Sequence, residues 1–280
     1  MAYKAHWDSK KEYEKFWSQN PSGSNYPVNR ENKPKKKKRG WLWMLLIAVV
    51  ILTVLVAGKY LFQGKIVKGV SSPTVIEEAG SIPEFSGTDY VLLNNNRPNF
   101  VEEDFKEISG ENFSNLDRLG RCGTAVAMLD RSMMPTEARG EIGQIKPSGW
   151  QQAKYEGYVD SNPPYLYNRC HLIAYALTGQ NANELNLITG TRYFNVTAML
   201  PFEEQVMKYL DNSDNHVLYR VTPYFKGNEL VARGVEMEAY SVEDQGTGVC
   251  YHVFVYNYQP GIEIDYKNGE AELNKLLTRG

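Results

Sequence analysis

The side chains with chemistry to offer gather between Tyr165 and Leu210, in the run YLYNRCHLIAYALTGQNANELNLITGTRYFNVTAMLPFEEQVMKYL. His171 closes an apolar, aromatic, strand-like stretch, Asn186 and Asn195 follow nine residues apart, and Glu203 and Glu204 open a helical pattern after Pro201. A neutral imidazole takes a proton from water near neutral pH, the work of a general base. The amide oxygen of Asn195 is a hard, neutral ligand that suits Mg²⁺, an ion that keeps most of its waters and accepts few protein groups. Glu203 would fix the ion's water shell, and Asn186 would brace the loop between. These residue types fit metal-assisted hydrolysis of a phosphodiester, which needs an oriented nucleophile and positive charge where the phosphoryl and leaving oxygens become more negative. Arg139, Arg169 and Arg192 are the nearby cations that could clamp phosphate oxygens.

Simpler roles compete for several of these residues. Acids in the first turn after Pro201 are stabilised by the helix dipole whatever else they do, and a single Asn is a weak metal signal. His216, opening a strand, and His252, inside one, read as structural. A Cys170–His171 nucleophilic pair is set aside, because adjacent residues in extended chain point to opposite faces.

The elements that must position the site follow from period and turn chemistry. Tyr90–Leu93 reads as a strand ended by Asn94, Asn95, Asn96 and Pro98, and Thr124–Leu129 as another. Pro135, Gly140, Gly143, Pro147 and Gly149 break up a long loop carrying Arg139 and Lys146, and loops often carry binding residues. His216–Phe225, Leu230–Val242 and Val249–Tyr258 alternate in polarity and are turned at Lys226-Gly227-Asn228 and Gly246-Thr247-Gly248, which gives an antiparallel meander. One face of that meander is expected in solvent, accounting for much of the acidity. Pro201 suits the start of a helix in which Phe202, Val206, Tyr209 and Leu210 recur at helical spacing. The class is α+β, with antiparallel sheets flanking a helical segment.

The chain has 280 residues, and its apolar residues are unevenly spread. Trp41–Gly58 carries no charge, and Tyr60, Leu61 and Phe62 extend it to the length of a membrane span with aromatic ends. The basic run Lys33–Arg39 precedes it and places the N-terminus on the cytoplasmic side. The expected organisation is a cytoplasmic tail at 1–40, a transmembrane helix at 41–62, a linker at 63–84 and an extracellular domain at 85–280. Residues 1–64 hold 12 of the 31 Lys and Arg but 4 of the 33 Asp and Glu, leaving 19 against 29 beyond, a net of −10. That balance excludes broad electrostatic wrapping of a polyanion. Cys122, Cys170 and Cys250 all fall in the outer part, where oxidation is permitted. Three pairings are open, and Cys122 with Cys170 is the favoured one because both lie beside the site.

Asn168-Arg169-Cys170-His171 resembles the Asp-Arg-Gly-His signature of the DNA/RNA non-specific endonucleases, whose fold holds a ββα-metal (His-Me) finger. The spacing of Asn186 and Asn195 is similar to that of the family's streptococcal membrane-bound DNA-entry branch, and Glu203 falls where the family has a glutamate that contacts the ion's waters. Leu119-Gly120-Arg121 and Lys146-Pro147-Ser148-Gly149-Trp150 extend the resemblance to roughly Tyr90–Gly269. It implies an Mg²⁺-dependent endonuclease, with Mn²⁺ as a substitute ion, that hydrolyses DNA and leaves 5′-phosphates; RNA is open as a second substrate. His171 would be the general base, Asn195 the direct ligand and Glu203 the group orienting the ion's water. Asn186 would support the site, Arg139 would clamp phosphate, and Arg169 lies in the signature itself. Asn168 and Cys170 depart from the pattern, and Cys170 would tie the site to a disulfide or make it redox-sensitive. The alternative from another class is a non-catalytic, membrane-tethered module that captures extracellular DNA.

Overall fold

In a computed structural model, residues 84–274 are described, together with the backbone of a two-residue strand, β1 (Val75–Ile76). The 1–40 tail, the 41–62 span and nearly all of the linker lie outside the described residues. Among the described residues, no helix is long and apolar enough to cross a membrane.

After β1 come β2 (Tyr90–Leu93), a short helix α1 (Glu102–Glu107), β3 (Gly110–Phe113) and β4 (Ala125–Leu129). The central stretch supplies β5 (Tyr167–His171), α2 (Tyr175–Thr178), β6 (Leu187–Thr191), a π-helical segment (Phe194–Met199) and α3 (Leu200–Asp211). The meander follows as β7 (Val217–Tyr224), β8 (Gly234–Ser241) and β9 (Cys250–Tyr256), then the small pair β10 (Ile262–Ile264) and β11 (Ala271–Leu273). Seven strands join in the order β1-β2-β9-β8-β7-β4-β3, with β5-β6 and β10-β11 as separate hairpins.

The strands before and after the central stretch therefore belong to one sheet: β4 pairs with β7, Ala125 opposite Val221, and β2 pairs with β9, Tyr90 opposite Val255. β5 and β6 form their own antiparallel pair, His171 opposite Leu187, and α3 follows, so the central stretch is a ββα unit laid on that sheet.

Alternation builds the core. Val217, Tyr219 and Val221, Val235, Met237 and Ala239, and Tyr251, Val253 and Val255 face one side, and Phe202, Val206, Met207 and Leu210 of α3 share their cluster with Cys170 and Ile188 of the hairpin. Each fully buried Val, Leu or Met contributes about 1.5–3 kcal/mol. An isolated two-stranded hairpin is marginal in water, so this shared core holds the finger in place. Asn257, fully buried, adds a polar staple: its Nδ2 donates to the Thr189 and Ala232 carbonyls at 3.1 and 2.9 Å, and its Oδ1 accepts from the Thr191 amide at 3.0 Å.

Two expectations are corrected. The outer face of the meander is not simply a solvent face. Glu238 and His252 are 2% and 1% exposed, because the segment after β2 covers them: the Asn99 amide donates to Glu238 at 2.6 Å and the Arg97 carbonyl meets His252 Nδ1 at 3.0 Å. All three cysteines are free. Cys122 turns its thiol to the Glu184 and Leu187 carbonyls, both at 3.2 Å, while Cys170 turns to the Met199 sulfur at 3.5 Å. Their thiols serve different neighbours, so the favoured pairing does not form.

Candidate active site

His171 is the last residue of β5 and is 6% exposed. Its Nε2 lies 2.9 Å from the Asn181 carbonyl. A carbonyl can only accept, so Nε2 carries the proton and Nδ1 presents a lone pair. That lone pair accepts from Arg139 Nη2 at 3.3 Å. Burial first, and the Arg139 guanidinium second, push the imidazole pKa down to about 4, against the pull of the backbone groups of Asn181 and Gln180. The ring is therefore neutral at physiological pH, in the tautomer that leaves Nδ1 basic.

Asn186 sits one residue before β6 and is fully buried. Its Oδ1 accepts from the Ile173 amide at 2.8 Å and its Nδ2 donates to the Ile173 carbonyl at 2.9 Å. This two-bond clasp closes the excursion between the hairpin strands just beyond His171. The excursion contains α2, whose Tyr175 hydroxyl donates to the Glu137 carbonyl at 2.8 Å, next to Arg139 in sequence. Asn181, whose carbonyl meets the His171 ring, lies in the same excursion.

Arg169 precedes His171 by two residues on β5, and its guanidinium is occupied. It donates to the Ile145 carbonyl and, at 2.6 Å, to the Gly143 carbonyl, and it stacks 4.2 Å over the Trp150 ring. Its contacts hold the glycine-rich loop against the hairpin. Arg192 is part-buried, and burial lowers its pKa.

Asn195 lies in the π segment and is half-buried. Among the described residues its side-chain amide has no hydrogen-bond partner. Eight residues of regular α-helix, the separation of Asn195 from Glu203, overshoot two turns by about 80°. A π-bulge absorbs about one residue, which brings the two side chains back toward one face. Glu203 is 8% exposed on the first turn of α3. Burial first, then the Glu204 charge, push its pKa up to about 8, and Arg139 opposes them. Arg139 thus faces both His171 and the buried Glu203. An amide oxygen and a carboxyl group are oxygen donors of the kind a hard divalent ion takes.

Cys170 is fully buried on the opposite face of β5 from His171, and burial raises its thiol pKa well above the ordinary value. Such a thiol is a poor nucleophile and a poor redox sensor. It fills the space over Gly190, where a Cβ would lie 2.8 Å from both the Cys170 Cβ and the Phe194 ring. Sequence reasoning missed the Asn181 carbonyl, since a backbone oxygen has no residue signature, and the staple at Asn257.

The profile of the DNA/RNA non-specific endonuclease family matches residues 102–243, just over half of the chain, and covers His171, Asn186, Asn195 and Glu203. The chain belongs to the DNA/RNA non-specific endonuclease family. It is similar to a deoxyribonuclease from Streptococcus dysgalactiae subsp. equisimilis, 34% identical over 111 residues, which is 38% of this chain and 32% of that protein. The match thus spans about a third of that relative. It is also similar to the crystal structure of NucA from Streptococcus agalactiae with magnesium bound, at 30% identity and a TM-score of 0.59, over 70% of this chain and 91% of NucA. The Sda1 nuclease with bound zinc shares the fold at 24% identity and a TM-score of 0.54, over 66% of this chain and 97% of Sda1.

Proposed function

We propose that this family member is an Mg²⁺-dependent, sequence-non-specific endonuclease that hydrolyses DNA, acting outside the membrane to which a helix at 41–62 tethers it. The observation that carries the reading is the state of His171: a neutral ring whose Nε2–H is held by a backbone carbonyl and whose Nδ1 lone pair faces Arg139. His171 Nδ1 takes the proton of the attacking water. Asn186 and the Asn181 carbonyl keep the ring from turning. Asn195 and Glu203 are the residues that would hold the ion, Asn195 by its amide oxygen and Glu203 through the ion's water shell. A bound Mg²⁺ supplies Lewis-acid charge to the phosphoryl group and the departing 3′-oxygen.

Arg139 acts as a gate on basicity as well as a phosphate clamp. A phosphodiester oxygen competes with Nδ1 for its guanidinium. Removing that cation from the lone pair raises the proton affinity of the base when substrate is present. Non-specific cleavage needs only backbone contacts, and arginines beside the site meet that need. The test is plasmid nicking by the full chain with Mg²⁺, with Mn²⁺ and with chelator, wild type beside Asn195→Ala. Nicking that requires the ion and falls at least about a hundredfold in the variant is expected. Nicking that persists in chelator, or an unaltered Asn195→Ala, would remove the metal from the account.

A further inference from the structure

On the face of the large sheet opposite α3, Glu236 and Glu238 of β8 and His252 of β9 converge, Glu238 directly across from His252. One carboxylate oxygen of each Glu and one ring nitrogen lie within 4.8 Å of one another, the one such trio of His, Cys, Asp or Glu among the described residues. We propose that this trio is a second metal site, for a nitrogen-accepting transition ion such as Zn²⁺, separate from the ion at Asn195.

The tautomer of His252 points to a cation. His252 Nδ1 faces the Arg97 carbonyl at 3.0 Å, which only accepts, so Nδ1 carries the proton. Nε2 then points its lone pair at Glu236 Oε1, 2.5 Å away, with Glu238 Oε1 at 3.9 Å. A lone pair facing carboxylate oxygens requires a cation between them, either a second proton or a metal ion. A backbone carbonyl behind a ligating imidazole is the usual way a protein orients a metal-binding histidine.

The charge of the cluster points the same way. Glu236, Glu238 and Asp104 bring three negative charges; Arg220 brings one positive charge, bonded to Glu238 at 2.6 Å and 3.6 Å from Asp104. The carboxylates of this cluster outnumber its guanidinium by two charges, which a divalent ion neutralises. Burying unbalanced charge is costly, and Glu238 and His252 are almost wholly buried. The mixed nitrogen and carboxylate set selects Zn²⁺ or a neighbouring first-row ion over Mg²⁺ or Ca²⁺, which prefer all-oxygen shells. Zinc bonds of about 2.0–2.2 Å would part the His252 and Glu236 atoms to about 3.3 Å. Glu236, the most exposed of the three, leaves a coordination position toward solvent. Arg97 and Asn99, gripping His252 and Glu238, make the segment between β2 and α1 the lid of the site.

The experiment measures metal bound by the full chain carrying Asn195→Ala, stripped with chelator and dialysed against Zn²⁺, with Co²⁺ visible absorption as a second readout. About one equivalent of Zn²⁺ is expected. Glu236→Gln, isosteric and at the partly exposed rim, and His252→Gln should each weaken binding by more than about tenfold and abolish the Co²⁺ bands. Failure to bind either ion, or binding unchanged in Glu236→Gln but lost in Cys250→Ser, would overturn the site. Neither result depends on nuclease activity.

Discussion

At the scale of single residues, the site is a set of opposed pKa shifts around one guanidinium. Arg139 helps to hold His171 neutral and tempers the rise at Glu203. The two shifts predict opposite pH effects on stability. His171, lowered to about 4, loses its stabilising contribution as pH falls from its unfolded value of 6.5 through 4. Glu203, raised to about 8, contributes stability below its unfolded value of 4.5 and loses it as pH rises through 8. In chelator, Glu203→Gln should therefore melt at a higher temperature than wild type above about pH 8 and show no such advantage near pH 5. Thermal unfolding across that range checks it; equal melting temperatures at both ends would contradict a buried neutral acid. The candidates His171, Asn186, Asn195 and Glu203 could be picked out of the sequence because their types and order match what metal-assisted hydrolysis would use, and the structure buries His171, Asn186 and Glu203. The loop-holding role of Arg169 was not, since the carbonyls of Gly143 and Ile145 that it grips are invisible in residue letters.

At the scale of elements, the finger depends on a hairpin pinned to a larger sheet. Asn257→Ala, just beyond β9, removes two hydrogen bonds to β6 of the hairpin and one to the Ala232 carbonyl just before β8, and strands buried backbone groups at a cost of about 1–3 kcal/mol for each unsatisfied group. Urea unfolding should show that loss, and activity at permissive temperature should fall as well because β6 loosens behind His171. Gly190→Ala should destabilise by about 1–3 kcal/mol, since Cys170 and Phe194 leave no space for a methyl; retained stability would mean the hairpin shifts freely over α3. The meander was readable because Val217, Tyr219 and Val221 alternate strictly and glycine turns separate the strands. The union of β4 with β7 and of β2 with β9 was not, because such pairings join residues far apart in sequence and no local period records them. The π segment was also hidden: nothing in the residue types of Phe194–Met199 distinguishes a π turn from an α turn.

At the scale of the molecule, the charge asymmetry limits how the protein meets its substrate. With a net of −10 beyond residue 64, binding to DNA rests on a few local cations rather than a basic surface. The logarithm of kcat/KM against the logarithm of salt should fall with a slope no steeper than about −3, the release expected from about three phosphate contacts; a slope near −8 would reveal a basic track that the sequence does not contain. The central claim is that His171 is the base. Its most direct test is plasmid cleavage by His171→Gly with and without added imidazole, in Mg²⁺. The account predicts loss of about 10²–10⁴-fold in the variant and partial recovery with imidazole, following the fraction of free imidazole that is unprotonated. Full activity in His171→Gly would contradict it outright.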